Sequence, residues 1–133
     1  MDIILLDTDI FSFIFKGSNR LQPYIPYLEG KILAISFMTV AELFQWASIR
    51  KWGISRINQL EKSFNNYLIF PCDIELCRGW GEVRALCRAD GHPISPQDAW
   101  IAATALHYEL PLATHNISDF EKIKGLNLIR PET

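Results

Sequence analysis

Short aliphatic runs alternate along this chain with longer segments of helical periodicity. Ile3-Ile4-Leu5-Leu6 is continuously apolar, as expected of a strand buried on both faces. Asp9 to Phe15 reads as a short helix ending near Gly17, and Arg20 to Leu28 as a second, with Pro23 and Pro26 disturbing its start. Lys31 to Phe37 is the second strand. Thr39-Val40-Ala41-Glu42 has the form of a capping box, opening a helix that runs to about Lys51. Ile57, Leu60, Phe64 and Tyr67 recur at helical spacing between Ser55 and Tyr67. Tyr67 to Phe70 is a third strand closed by Pro71. Ile74 to Asp90 carries Leu76, Trp80, Val83 and Leu86 or Cys87 on one helical face, and Gly91 ends it. Pro96 to Leu110 is apolar on most of its faces, which marks a central helix. Leu112 to Thr114, a helical turn over Ser118 to Ile123, and an edge strand over Leu126 to Arg130 complete the chain. Strands alternating with helices predict a single α/β domain: a three-layer α/β/α sandwich around a mainly parallel sheet of about five strands.

Composition narrows this reading. A chain of 133 residues has the length of one domain and buries a core without staples. Its net charge of −2 excludes gripping nucleic acid by bulk positive charge, yet leaves room for a nuclease with an acidic site. Eight Phe and four Trp exceed what a small core needs, which points to a buried partner interface. Cys72, Cys77 and Cys87 fit no zinc spacing and read as reduced thiols. The first residues form neither a signal sequence nor a membrane span, so the expected location is cytoplasmic.

Four acids then stand out. Asp7 ends the first apolar run, Glu42 opens the helix after the second strand, Asp98 lies just inside the helix begun by Ser95-Pro96, and Asp119 follows Leu112-Ala113-Thr114 by a short turn. Each is assigned to a strand-to-helix junction, and such junctions gather at the carboxyl edge of an open parallel sheet, where ligands bind. Carboxylates collected there repel one another unless a cation neutralises them, and magnesium prefers oxygen ligands. Each acid also has a bland explanation. Asp7 can cap the helix after it, although Thr8 and Asp9 can serve in its place. Glu42 is the N3 residue of the capping box. Asp98 suits a helix N-terminus, and Asp119 can simply start a turn. Capping explains one acid at one helix start. It does not explain four at successive junctions.

The stretches around these acids carry a resemblance. Ile4-Leu5-Leu6-Asp7-Thr8-Asp9, Ile35-Ser36 with Thr39-Val40-Ala41-Glu42-Leu43, Gly91 to Ala103 around Asp98, and Leu112 to Phe120 around Asp119 resemble, in order and spacing, the four acidic blocks of PIN-domain proteins. Total length is similar to that of VapC-type toxins, the ribonuclease half of toxin–antitoxin pairs. The resemblance runs from Asp2 to about Pro131, and its last two blocks are the most specific. It implies a Mg²⁺- or Mn²⁺-dependent endoribonuclease that leaves a 5′-phosphate and a 3′-hydroxyl. Asp7, Glu42, Asp98 and Asp119 fall on the metal-binding, catalytic positions, with Asp7 and Asp98 most direct. Thr8, Thr114 and Asn116 fall on supporting polar positions. The implied partners are RNA, a VapB-like antitoxin and a second copy of the chain in a homodimer, with no membrane.

Among basic residues, Lys16, Arg20, Arg50, Lys51, His92 and His115 are candidates for RNA contact, His115 foremost. Phe11, Phe13, Phe15, Phe44 and Trp46 are candidates for a dimer or antitoxin contact, with ordinary core preferred for most of them. Other classes fit less well. Asp7-Thr8-Asp9 matches the opening of haloacid-dehalogenase phosphatases, but Phe11 and the absence of later basic and acidic blocks do not. A receiver domain needs an acceptor after the third strand, where only Cys72-Asp73 stands, and Lys124 is badly placed. A PIN domain that binds RNA or a partner without cutting is the remaining alternative, against which the intact acids argue.

Overall fold

The computed structural model describes residues 2–131. Five strands form one sheet: β1 (Ile3–Leu6), β2 (Ile32–Ser36), β3 (Leu68–Phe70), β4 (Leu112–Ala113) and β5 (Leu128–Ile129). Their order is β3-β2-β1-β4-β5, and every pair is parallel. The helices are α1 (Thr8–Lys16), α2 (Ile25–Leu28), α3 (Phe37–Ile49), α4 (Ile54–Ser63), α5 (Ile74–Ala89), α6 (Pro96–His107) and α7 (Ile117–Phe120). This is the α/β sandwich expected from the alternating pattern.

Period-two alternation in β1 divides the interior into two cores. Leu5, with Ala34 and Leu112, packs beneath α5 and α6, against Leu76, Val83, Ala99 and Ala102. Ile4 and Leu6 face the other way, toward Ile10, Phe11, Leu43 and Leu60 of α1, α3 and α4. Ala99, Ala102, Ala103 and Ala105 of α6 are all buried, so its small side chains let it sit close between neighbours, as its apolar sequence predicts. Of the aromatic residues, Phe11 and Phe13 are core, whereas Phe44 is exposed and touches Phe64 edge-on.

Several boundaries move, each for a local reason. The α3 helix opens at Phe37, not Thr39, because Ser36 ends β2 and caps at once, its Oγ accepting from Met38 N–H at 2.9 Å. Thr39-Val40-Ala41-Glu42 is therefore no capping box. Residues 19–24 form a tighter 3-10 segment before the single turn of α2, because Pro23 has no N–H for an α-helical bond. The α6 helix ends at His107 rather than Leu110, and β5 is the short pair Leu128–Ile129. Gly17 ends α1 with φ of 65°, a left-handed backbone that a side chain would strain.

Strand order fixes where function can sit. After β1 the chain steps one way to β2 and β3, then returns past β1 to lay down β4 and β5. The crevice beyond the carboxyl ends of β1 and β4 is thus the topological switch point of the sheet.

Candidate functional site

At that crevice β1 stops at Leu6 and β4 at Ala113, held together by the Asp7 N–H donating to the Ala113 carbonyl at 2.9 Å. The next residue of each strand carries the chemistry. Asp7 is only 4% exposed. One carboxylate oxygen accepts from the Thr8 N–H, so Asp7 does cap α1, a duty that Thr8 and Asp9 do not take over. The other, Oδ2, accepts from the fully buried Thr114 hydroxyl at 2.6 Å. Thr114 is fixed in turn: its Oγ1 accepts from the Asn116 N–H at 3.0 Å, and its carbonyl from the Tyr24 hydroxyl at 2.8 Å.

Glu42 reaches the same edge from the second turn of α3. Freed from any capping role, its Oε1 accepts from the Thr8 hydroxyl at 3.0 Å. Thr8 has one hydroxyl proton, so the Thr39 hydroxyl, 2.8 Å away, donates to Thr8. A relay from Thr39 through Thr8 to Glu42 results. Asp98 stands on the first turn of α6, where Ser95 caps and Pro96 occupies the first position, as its sequence predicts; the Asp98 N–H donates to Ser95 Oγ at 3.1 Å. One expectation fails here: α6 follows a loop from α5, not a strand, so Asp98 is not at a strand exit. It reaches the edge because central α6 points its N-terminus there. Asp119, on α7, is exposed and lines, with Asp98, a cavity of about 570 Å³.

A fifth acid went unassigned from sequence. Asp9 sits on the first turn of α1 and accepts from Asn116 Nδ2 at 2.8 Å. Its charge acts on Asp7, Glu42 and Asp98 alike. The signal was present in the Asp-x-Asp spacing: residue i+2 of a chain turning into a helix returns to the same edge. Thr39, the end of the hydroxyl relay, was equally legible only from Glu42's position one turn later.

The electrostatics are those of crowded carboxylates. Burial pushes the Asp7 carboxyl up to about 7, opposed by the Thr114 hydrogen bond and reinforced by Asp9 and Asp98. Burial also raises Glu42, against the Thr8 bond, with Asp98 and Asp9 adding to it. Asp98 is raised by burial and then by Asp119. Among the described residues no lysine or arginine forms an ion pair with any of these five acids. Nor do three acidic, histidine or cysteine side chains close into a finished metal cage. The donors are all oxygen, their mutual repulsion is unrelieved, and they stand apart. That set fits a hard divalent cation that keeps part of its water shell better than one needing a full protein cage.

The remaining candidates scatter. His92 lines the Asp98–Asp119 cavity. His115 is exposed and packs edge-on against Phe13. Arg20 lies over the Phe13 ring and Arg50 over the Trp46 ring. Asp73, the acceptor a receiver domain would need, caps α5 by accepting from Leu76 N–H at 2.8 Å and takes no part in the cluster.

Comparison with known proteins agrees with this fold. Residues 4–126 match the PIN domain. The chain is 30% identical over 129 residues to "Ribonuclease VapC1" of Haemophilus influenzae (strain R2866), spanning 93% of this chain and 94% of that one. It is 27% identical over 123 residues to "tRNA(fMet)-specific endonuclease VapC" of Shigella flexneri, covering 92% of each. Among solved structures it is similar to VapBC2 from Rickettsia felis bound to a promoter DNA fragment, with a TM-score of 0.84, 25% identity and coverage of 98% and 99%. VapBC-1 from nontypeable Haemophilus influenzae gives 0.81 at 28% identity, with 96% of each chain covered.

Proposed function

From the premise that this chain belongs to the PIN-domain family, in its VapC-type branch, we propose that it is the toxin of a toxin–antitoxin pair, an endoribonuclease that depends on magnesium or manganese. The observation that carries the reading is the buried Asp7 carboxylate, fixed by Thr114 at the sheet's switch point and crowded by Asp9 and Asp98, with no lysine or arginine among the described residues paired to them.

When bound, the divalent cation supplies a Lewis acid for the phosphodiester and makes a water more acidic. Everything else falls to side chains. Asp7 and Asp98 would hold the cation most directly, and Thr8 and Thr114 keep the Asp7 carboxylate in one orientation by engaging both its oxygens. Glu42, steadied by the Thr39–Thr8 relay, orients the attacking water or takes its proton. Asp9 adds negative charge beside them, its Oδ2 accepting from the Asn116 amide. Exposed Asp119 would act through water. Cleavage then leaves a 5′-phosphate and a 3′-hydroxyl.

Its proposed partners are RNA as substrate, a VapB-like antitoxin and a second copy of the chain. Exposed apolar side chains, including Ile49 at 68%, Ile54 at 80% and Ile74 at 79%, offer surface for the protein contacts. No described helix is long and apolar enough to cross a membrane.

The test is RNA cleavage by the purified chain, with magnesium or manganese and with a chelator. Asp98→Asn is expected to lower cleavage at least about 10³-fold, since it removes a charged ligand at the reacting centre. Equal cleavage in chelator, or by Asp98→Asn, overturns the reading.

A further inference from the structure

The cavity next to the acids carries both signs of charge: Asp98 and Asp119 line it, and so do Lys122 and His92. Lys122 follows α7 and His92 follows α5, so neither is placed by the strand ends that position Asp7 and Thr114. Lys122 Nζ comes to 3.5 Å from His92 Nε2. Among the described residues neither has a carboxylate within ion-pair distance, although Asp90 lines the same cavity. Lys122 turns at most one of its three N–H groups on His92 and keeps two for an oxyanion at the wall of an otherwise acidic cavity. Beside them Ile94, Ile123 and Cys87 form an apolar wall.

We propose that Lys122 and His92 form a subsite for the RNA phosphate next to the scissile one, with the flanking base against Ile94 and Ile123. This rests on the ribonuclease reading of the acids. A strand whose scissile phosphate lies at Asp7 and Asp98 must run its next phosphate along a neighbouring wall, and Lys122 and His92 are the basic side chains lining the cavity beside Asp98. Phosphate contacts set register on a nucleic acid without reading its bases. The pair therefore fixes where the strand is cut, not which base is chosen.

The experiment measures binding of a labelled single-stranded RNA to Asp98→Asn protein with magnesium, as a function of salt. Adding Lys122→Ala is expected to weaken binding roughly tenfold and to make the salt slope shallower by about 0.7, the value for one phosphate contact on a single strand. His92→Ala weakens it less, and Lys122→Arg restores it. Lys31→Ala, a charge loss at the opposite edge of the sheet, changes neither quantity. In otherwise native protein Lys122→Ala raises KM and spares kcat. A neutral methylphosphonate at the neighbouring phosphate weakens binding to the Lys122 protein but not to Lys122→Ala. If Lys122→Ala binds and cuts like its parent, or the methylphosphonate effect persists without Lys122, the subsite is refuted while the nuclease reading stands. If RNA is never cut but binding still depends on Lys122 and on that phosphate, the nuclease reading fails and the phosphate contact survives. A response to free phosphate that does not depend on the RNA's neighbouring phosphate refutes the subsite.

Discussion

Two aspartates flank the central strand, five residues apart, and the fold treats them oppositely. Asp2, at the amino edge, is exposed and lies 3.0 Å from Lys31, whose hydrogen bond and charge hold its carboxyl below the usual carboxylate range. Asp7, at the carboxyl edge, is buried, meets a threonine hydroxyl and other acids, and is pushed up to about 7. The same side chain at the two ends of one β-strand is neutralised at one end and left electrostatically unfinished at the other. An unfinished charge of this kind is relieved by taking up a proton or by a group from outside the protein. The amino edge is structure; the carboxyl edge is the proposed site.

The largest effect expected from this contrast is on activity. Asp7→Asn should reduce RNA cleavage at least about 10³-fold through loss of a charged ligand, whereas Asp2→Asn should cut like the parent; comparable losses from both would erase the distinction. Stability should move the other way. An acid whose folded pKa is raised from 3.8 to about 7 contributes fully to stability below 3.8 and loses that contribution as pH rises through 7. Glu42 and Asp98 are shifted in the same direction. Chelated protein should therefore become less stable from about pH 4 to pH 7, and Asp7→Asn should be more stable than the parent by about 2–4 kcal/mol at pH 8 but not at pH 4. Denaturant melts at the two values decide it, and magnesium should narrow the gap at pH 8.

A smaller effect follows from the support of Asp7. Thr114→Val removes the donor to Oδ2 and leaves the Asn116 N–H without its acceptor, so magnesium affinity, read from the metal dependence of cleavage, should fall about 10- to 100-fold. Smallest of all is Lys31→Ala, which breaks an exposed pair and should leave the midpoint of a denaturant melt nearly unchanged.

Much of this contrast was legible in the chain. Ile3 to Leu6 announced a strand buried on both faces, and the alanine-rich run of α6 announced a helix at the centre, because complete burial leaves little room for polar residues. Asp7, Glu42 and Asp98 were found by the same logic in reverse, as acids where a buried element ends. What stayed hidden depended on contacts between distant segments. The local pattern Thr39-to-Glu42 reads as a capping box, and only β2 running straight into α3 at Ser36 overrides it. Asp9 looked like a spare cap because its partner Asn116 lies 107 residues away. Asp98 was credited to a strand exit it does not have; the packing of α6, not chain order, brings it to the edge.

The Asp7–Thr114 bond also spans 107 residues, and that separation sets an order of events during synthesis. Asp7, Glu42 and Asp98 all leave the ribosome before Leu112, Ala113 and Thr114. Until β4 emerges, β1 lacks its neighbour on that side and Asp7 lacks the hydroxyl that orients it. A partly made chain thus holds four of the five acids, Asp9 included, but not the crevice that aims them. The crevice is completed only when nearly all of the domain has been read.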